Sequence, residues 1–146
     1  MNSLKICLVV ALTWGWWVYL ALHSQMLISG DAIGYQNLGN LFYHGDWGTY
    51  FITGPNREPG YPLLVALSMR VADWFHLDQL TVLKFMQLFL LACTQLFVWT
   101  WLCRLGVSVG GTMLAVGYIG FSPALLNAAL SMYSARTQSL AIIRYR

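Results

Sequence analysis

Charge is what this chain has least of. Its 8 Lys and Arg and 5 Asp and Glu make up 9% of 146 residues. The basic residues are scattered, with no Lys or Arg run of the kind that follows a nucleic-acid backbone, so nucleic acid is excluded as a partner. Cysteine is scarcer still. Cys7, Cys93 and Cys103 are odd in number and each sits in an apolar run, where cysteine acts as a small buried hydrophobe, so neither a disulfide framework nor a metal-ligand spacing is present. Internal repeats and low-complexity segments are also missing. Apolar residues are plentiful: 58% of the chain is hydrophobic, at a mean hydropathy of +0.60. A soluble domain could not bury that proportion without leaving large apolar patches in water. The chain reads as an all-α integral membrane protein, one membrane domain over residues 1–146.

Three stretches are apolar enough to cross a bilayer at roughly 20 residues each. The first follows Lys5 and carries no charge from Ile6 to Leu22. It is long, contains Trp14, Trp16, Trp17 and Tyr19, and lacks a small-x-small cleavage site, which favours an uncleaved span over 6–28 against a signal peptide. The second, over 79–105, has Lys84 near one end, able to snorkel, with Trp99, Trp101 and Arg104 marking the other interface. A turn at Gly106 to Gly111 leads to the third, over 109–133, in which Gly117, Gly120 and Pro123 are tolerated if neighbours pack closely. The aromatic set Trp14, Trp16, Trp17, Trp47 and Trp74 reads as an interfacial belt.

Residues 29–78 form the loop between the first two spans and hold all five acidic residues, Asp31, Asp46, Glu58, Asp73 and Asp78, the first four of them between Gly30 and Asp73. Lys5 on the amino side puts the N-terminus in the cytoplasm and this loop on the periplasmic or luminal face. Tyr35, Leu38, Leu41 and Phe42 recur at helical spacing with Gln36, Asn37, Asn40 and His44 on other faces, predicting an amphipathic interfacial helix capped by Asp31 and stopped at His44-Gly45. From Asp46 to Pro62 the density of Gly, Pro, Asn and aromatic residues predicts an ordered loop without a regular element. Tyr61 to Phe75 predicts a second interfacial helix, interrupted by Arg70 and Asp73 and too short and charged for a comfortable span. The count is therefore three transmembrane helices, or four if that segment crosses. The tail 134–146 carries Arg136, Arg144 and Arg146, which the three-span topology puts outside, against the positive-inside bias.

The order of features resembles a known family. An apolar span, then Gly30-Asp31 with Tyr35 following, a helix ending in Gly45-Asp46-Trp47, and then Arg57-Glu58-Pro59-Gly60-Tyr61-Pro62-Leu63-Leu64 look like the amino end of the GT-C membrane glycosyltransferases. Most similar is glycosyltransferase family 39, the dolichyl-phosphate-mannose-protein mannosyltransferase type, which includes the aminoarabinose transferases of lipid A. The resemblance covers about Leu4 to Ser134. Members are several times longer, so the chain corresponds to an amino-terminal portion, and after Ser134 it departs into a basic stub where relatives continue with an acidic residue and an apolar helix. A truncated or frameshifted copy would give that departure.

The resemblance implies transfer of a sugar from a polyprenyl-phosphate donor to an acceptor on the non-cytoplasmic face of a bacterial inner membrane. Asp31 matches the family's proposed catalytic carboxylate, which would take the acceptor's proton as it attacks the anomeric carbon; as an ordinary residue it is a helix cap. Asp46 would help bind donor or acceptor, or is a turn aspartate bonded to its own backbone. Arg57 offers planar donors to the donor phosphate, or pairs on the surface with Glu58. Glu58 and Tyr61 complete the substrate-binding set, with Tyr61 able to stack on sugar or isoprenoid while Pro59-Gly60-Tyr61-Pro62 stiffens the start of the next helix. No cofactor is implied beyond the lipid-linked substrate; His23 and His44 with Asp31 have no regular ligand spacing for a divalent metal. The implied partners are membrane lipid, the polyprenyl-phosphate sugar and another membrane chain supplying missing helices. A small non-catalytic membrane subunit and a non-functional remnant remain as alternatives.

Overall fold

The computed structural model describes residues 2–24, 31–53 and 58–130, the side chains of Asn2, Ser3, Asp31 and Thr53 excepted. All regular structure among them is helical: α1 (Asn2–His23), α2 (Asp31–His44), α3 (Trp47–Thr53), α4 (Gly60–Phe75), α5 (Gln79–Arg104), α6 (Val109–Phe121) and α7 (Pro123–Leu130). Two helices, α1 from Leu4 to His23 and α5, have the length and apolarity of membrane spans, and α6 with α7 makes a third if the bent pair counts as one. At 1.5 Å per residue the 22 residues of α1 reach about 33 Å, enough for a hydrocarbon core of roughly 30 Å.

The chain divides into two compact units. One is built from α1, α5 from Gln87 onward, α6 and α7. Its interior is held by polar side chains as well as apolar ones. Gln95 of α5, fully buried, donates from Nε2 to Thr13 Oγ1 of α1 and to the Val116 carbonyl oxygen of α6, each at 3.0 Å, and accepts from Trp14 Nε1 at 2.9 Å. Trp17 Nε1 donates to the Gly120 carbonyl oxygen at 2.7 Å. Side-chain amides that bridge helices in this way act as glue where lipid removes the hydrophobic driving force between helices. Gly120 lets the helices meet: a Cβ there would lie 2.0 Å from Thr13 Cγ2. Above and below this bolt lie two apolar clusters, Ile6, Val10 and Val116, and Trp17, Ala21, Leu88 and Leu126.

Four features here differ from what the sequence predicts. Trp17 is 2% exposed and belongs to the core, not to an interfacial belt; its position on the face shared with Thr13, Val10 and Ala21 directs it inward. Cys7, Cys93 and Cys103 are exposed, not buried as the apolar runs around them suggested. The third apolar stretch is also not one straight helix. Ser122 is extended (φ −65°, ψ 116°), as expected of a residue before proline, and the axes of α6 and α7 differ by 43°. Gly110 and Gly111 fall inside α6 and not in a turn, because Ser108 caps that helix through its hydroxyl to the Gly111 N–H at 3.3 Å.

The second unit contains α2, α3, α4 and α5 up to Met86. α2 lies against α4, at a closeness that Gly39 permits: a Cβ there would meet Val65 Cγ1 at 2.5 Å and the Pro62 carbonyl oxygen at 3.2 Å. Ala32, Val65 and Leu83 are fully buried together, with Tyr35, Tyr61, Leu64, Met69 and Leu80 packed on them. Leu38, Phe42, Tyr50 and Ala66 form the other cluster. α2 ends at His44, with Gly45 at φ +77°. α4 starts at Gly60 behind Pro59 and ends at His76, which is left-handed (φ 53°) while the Leu77 N–H reaches back to the Ala72 carbonyl oxygen at 2.9 Å. Asp78 caps α5, accepting the Thr81 N–H at 2.8 Å and its hydroxyl at 2.9 Å.

Candidate functional site

The loop predicted from Asp46 to Pro62 contains a helix. Asp46 Oδ1 accepts the Thr49 N–H at 3.0 Å, an N-cap that starts α3, and Tyr50 from the following turn is buried against Phe42, ring centroids 4.1 Å apart, with Trp47 edge-on to the same ring at 4.6 Å. A cap plus aromatic burial overrides the poor helix propensity of Trp47-Gly48-Thr49-Tyr50. The hydrogen bonds from the Thr49 side chain and then its N–H hold the Asp46 carboxyl below its ordinary pKa, so the group is a committed cap carrying a stable negative charge.

The other residues singled out in the sequence are dispersed. Asp31 is the first residue of α2 and its neighbour Ala32 is fully buried against Val65 and Leu83, which fixes where α2 begins; its carboxylate lies outside the described residues, as does Arg57. Glu58 is exposed. Tyr61, in the first turn of α4, packs on the Ala32 cluster with its ring edge-on to Tyr35, centroids 5.0 Å apart and planes at 73°. Tyr61 is thereby brought to the cluster at the start of α2, whereas the backbone of Asp46 is bonded to Leu41 and Tyr50 of the other cluster. Lys84, expected to snorkel outward, is buried at 8% exposure, next in sequence to Leu83 of the Ala32 cluster. Among the described residues no three His, Cys, Asp or Glu side chains gather as metal ligands.

A constellation that the sequence reading passed over lies between the end of α2 and the last turns of α4. Tyr43 donates its hydroxyl to the Asp73 carboxylate. Arg70 Nη2 donates to the Tyr43 carbonyl oxygen at 3.2 Å, and its guanidinium stands over the Tyr43 ring, 5.5 Å from the centroid. The bond to Asp73 and that carboxylate's charge raise the Tyr43 pKa, burial adds to this, and Arg70 opposes it. These residues, with Leu67, Val71 and Trp74, line a cleft of about 500 Å³. Arg70 and Asp73 read in the sequence as interruptions of an apolar helix. Their spacing of three was the available signal, since it puts both on one face; Tyr43, 27 residues from Arg70, carried none.

Elsewhere, α1 and Phe121 of α6 border a shallow, open apolar hollow of about 590 Å³ lined by Ala11, Leu12, Gly15, Trp16 and Tyr19. It offers shape for an acyl chain and no polar chemistry.

Comparison of the chain with protein-family models, curated proteins and solved structures finds no match.

Proposed function

We propose that the chain is the amino-terminal portion of a GT-C type glycosyltransferase, similar to family 39, that moves a sugar from a polyprenyl-phosphate donor to an acceptor on the non-cytoplasmic face of a bacterial inner membrane. The observation that carries this reading is the position of Asp31. It opens α2, the helix that follows the first candidate span in the chain, and Ala32 beside it is fully buried against Val65 and Leu83. A catalytic carboxylate needs that kind of fixed backbone at the edge of the bilayer.

On this reading the N-terminus is cytoplasmic, residues 29–78 are external, and α2 and α4 lie along the interface as amphipathic helices. The acceptor oxygen or nitrogen forms the new bond to the anomeric carbon as the bond from that carbon to the phosphate oxygen breaks. Asp31 takes the acceptor's proton, and polyprenyl phosphate departs with its charge held by Arg57. Tyr61 and Glu58 line the substrate path, and Asp46 acts by fixing α3 beneath it. Another membrane chain, or the remainder of a longer one, supplies the other helices.

The test is sugar transfer from a radiolabelled polyprenyl-phosphate sugar in proteoliposomes containing the chain together with that remainder. Asp31→Asn should lower turnover by about 10²-fold or more, the usual contribution of a general base, while the protein stays in the membrane and donor binding is kept. Full transfer by the variant, or labelling of a cysteine at position 31 only from the cytosolic side, overturns the proposal.

A further inference from the structure

The cleft on α4 is chemically divided. Leu67, Val71 and the indole of Trp74, 84% exposed, form its apolar wall. Arg70 and Asp73 bring opposite charges to its mouth, yet they do not pair with each other among the described residues. The guanidinium has one hydrogen bond, to the Tyr43 carbonyl oxygen, and the face of the Tyr43 ring; the carboxylate has the Tyr43 hydroxyl. A guanidinium offers five N–H donors and a carboxylate about four acceptor sites, so most of the recognition capacity of both is open to a ligand. A simple anion drawn by Arg70 is repelled by Asp73, and a simple cation meets the reverse. A zwitterion satisfies both.

We infer that this cleft binds the headgroup of a phospholipid bearing a free ammonium, of the phosphoethanolamine type. Its phosphate lies on Arg70, its ammonium on Asp73, and the upper part of its acyl chain against Leu67, Val71 and Trp74. The short link between phosphate and ammonium matches the roughly 5–6 Å that separates side chains three apart on a helix. About 500 Å³ falls in the range of small-molecule sites. Lipid is the occupant because α4 also exposes Leu63, Leu67, Trp74 and Phe75, and α5, with the composition of a span, begins at Gln79 in the same unit. Tyr43 is the positioning residue: its hydroxyl orients the carboxylate and its ring braces the guanidinium.

Native mass spectrometry of the full chain in detergent, titrated with phosphatidylethanolamine or phosphatidylglycerol of the same acyl chains, tests this without reference to transfer activity. Wild-type protein should prefer the ethanolamine lipid by about three- to five-fold, the scale of one exposed charge pair. Asp73→Asn should abolish the preference by raising glycerol-lipid binding, and Arg70→Gln should weaken both. Tyr43→Phe, which keeps both charges, should retain the preference at lower affinity. Because Asp73→Asn also weakens the bond from Tyr43, whose hydroxyl would then donate to an uncharged amide oxygen, the unmodified protein supplies an independent reading: an N-acylated phosphatidylethanolamine, which has no ammonium, should fall to the level of phosphatidylglycerol. Equal binding of the N-acylated and free-amine lipids, no preference in the wild type, or an Asp73→Asn ratio equal to the wild-type ratio would overturn the inference.

Discussion

Asp46 shows how one carboxylate can have its chemistry settled by the backbone around it. Its Oδ1 accepts the Thr49 N–H at 3.0 Å, and the bonds from Thr49 hold its pKa below the ordinary value of 3.8. The folded value is the lower one, so the contribution of this cap is fully present above the ordinary carboxylate value and disappears as pH falls through the folded value. Asp46→Ala should fray α3 at neutral pH, read as faster amide exchange at Thr49 and Tyr50. Asp46→Asn, an equally good cap, should keep α3 closed and remove its acid sensitivity; unchanged exchange in Asp46→Ala would show that the Phe42 and Tyr50 contacts alone hold the helix. At this scale the sequence was legible where a residue acts on its own neighbours: Asp46 as a turn aspartate, His44-Gly45 as a stop, Pro59 ahead of α4. Tyr43, Arg70 and Asp73 were not, because their relation exists only once α2 lies against α4.

Among the elements, the joint of α1, α5 and α6 is the most sharply defined. Gln95 touches all three through Thr13, Trp14 and Val116, and Gly120 closes against Thr13. Gly120→Ala must push the helices apart or distort Thr13, and should destabilise this unit by about 1–3 kcal/mol, the cost of overpacking. Gln95→Leu leaves the Trp14 N–H without its partner and removes the bonds to Thr13 and Val116, while the Thr13 hydroxyl keeps the Val10 carbonyl oxygen, and should cost about 0.6–1.7 kcal/mol, the range for interhelical hydrogen bonds in membranes. Steric-trap or SDS unfolding of the purified chain measures both, and a neutral Gly120→Ala would refute the closeness of α1 and α6. Gly117, Gly120 and Pro123 were already legible as marks of close packing or a kink. Which helices met there was not, since Gln95 and Thr13 lie 82 residues apart and each looks unremarkable in its own apolar run. α3 was missed for the opposite reason: local composition argues against a helix, and tertiary burial of Tyr50 decides for one.

For the molecule as a whole, the all-helical class of the described residues and the two helices long and apolar enough to cross a bilayer followed from apolar runs whose length alone suits a bilayer, which is why they were readable without any tertiary knowledge. The bend at Ser122 was harder, and it bears on the number of crossings. α6 has 13 residues, about 20 Å at 1.5 Å per residue, against a hydrocarbon thickness of roughly 30 Å. If the hinged pair passes through, Arg136, Arg144 and Arg146 emerge on the face opposite to Lys5. If α7 instead folds back, the chain dips into the bilayer and leaves by the leaflet it entered, returning those arginines to the side of Lys5 and giving even parity to the crossings. The positive-inside bias favours the second arrangement, and a reporter fused after Leu130 should be active on the same side as one fused ahead of Lys5. A hinge of 43° is open to either arrangement, a broken crossing or a re-entrant turn, and the side on which the reporter works decides between them.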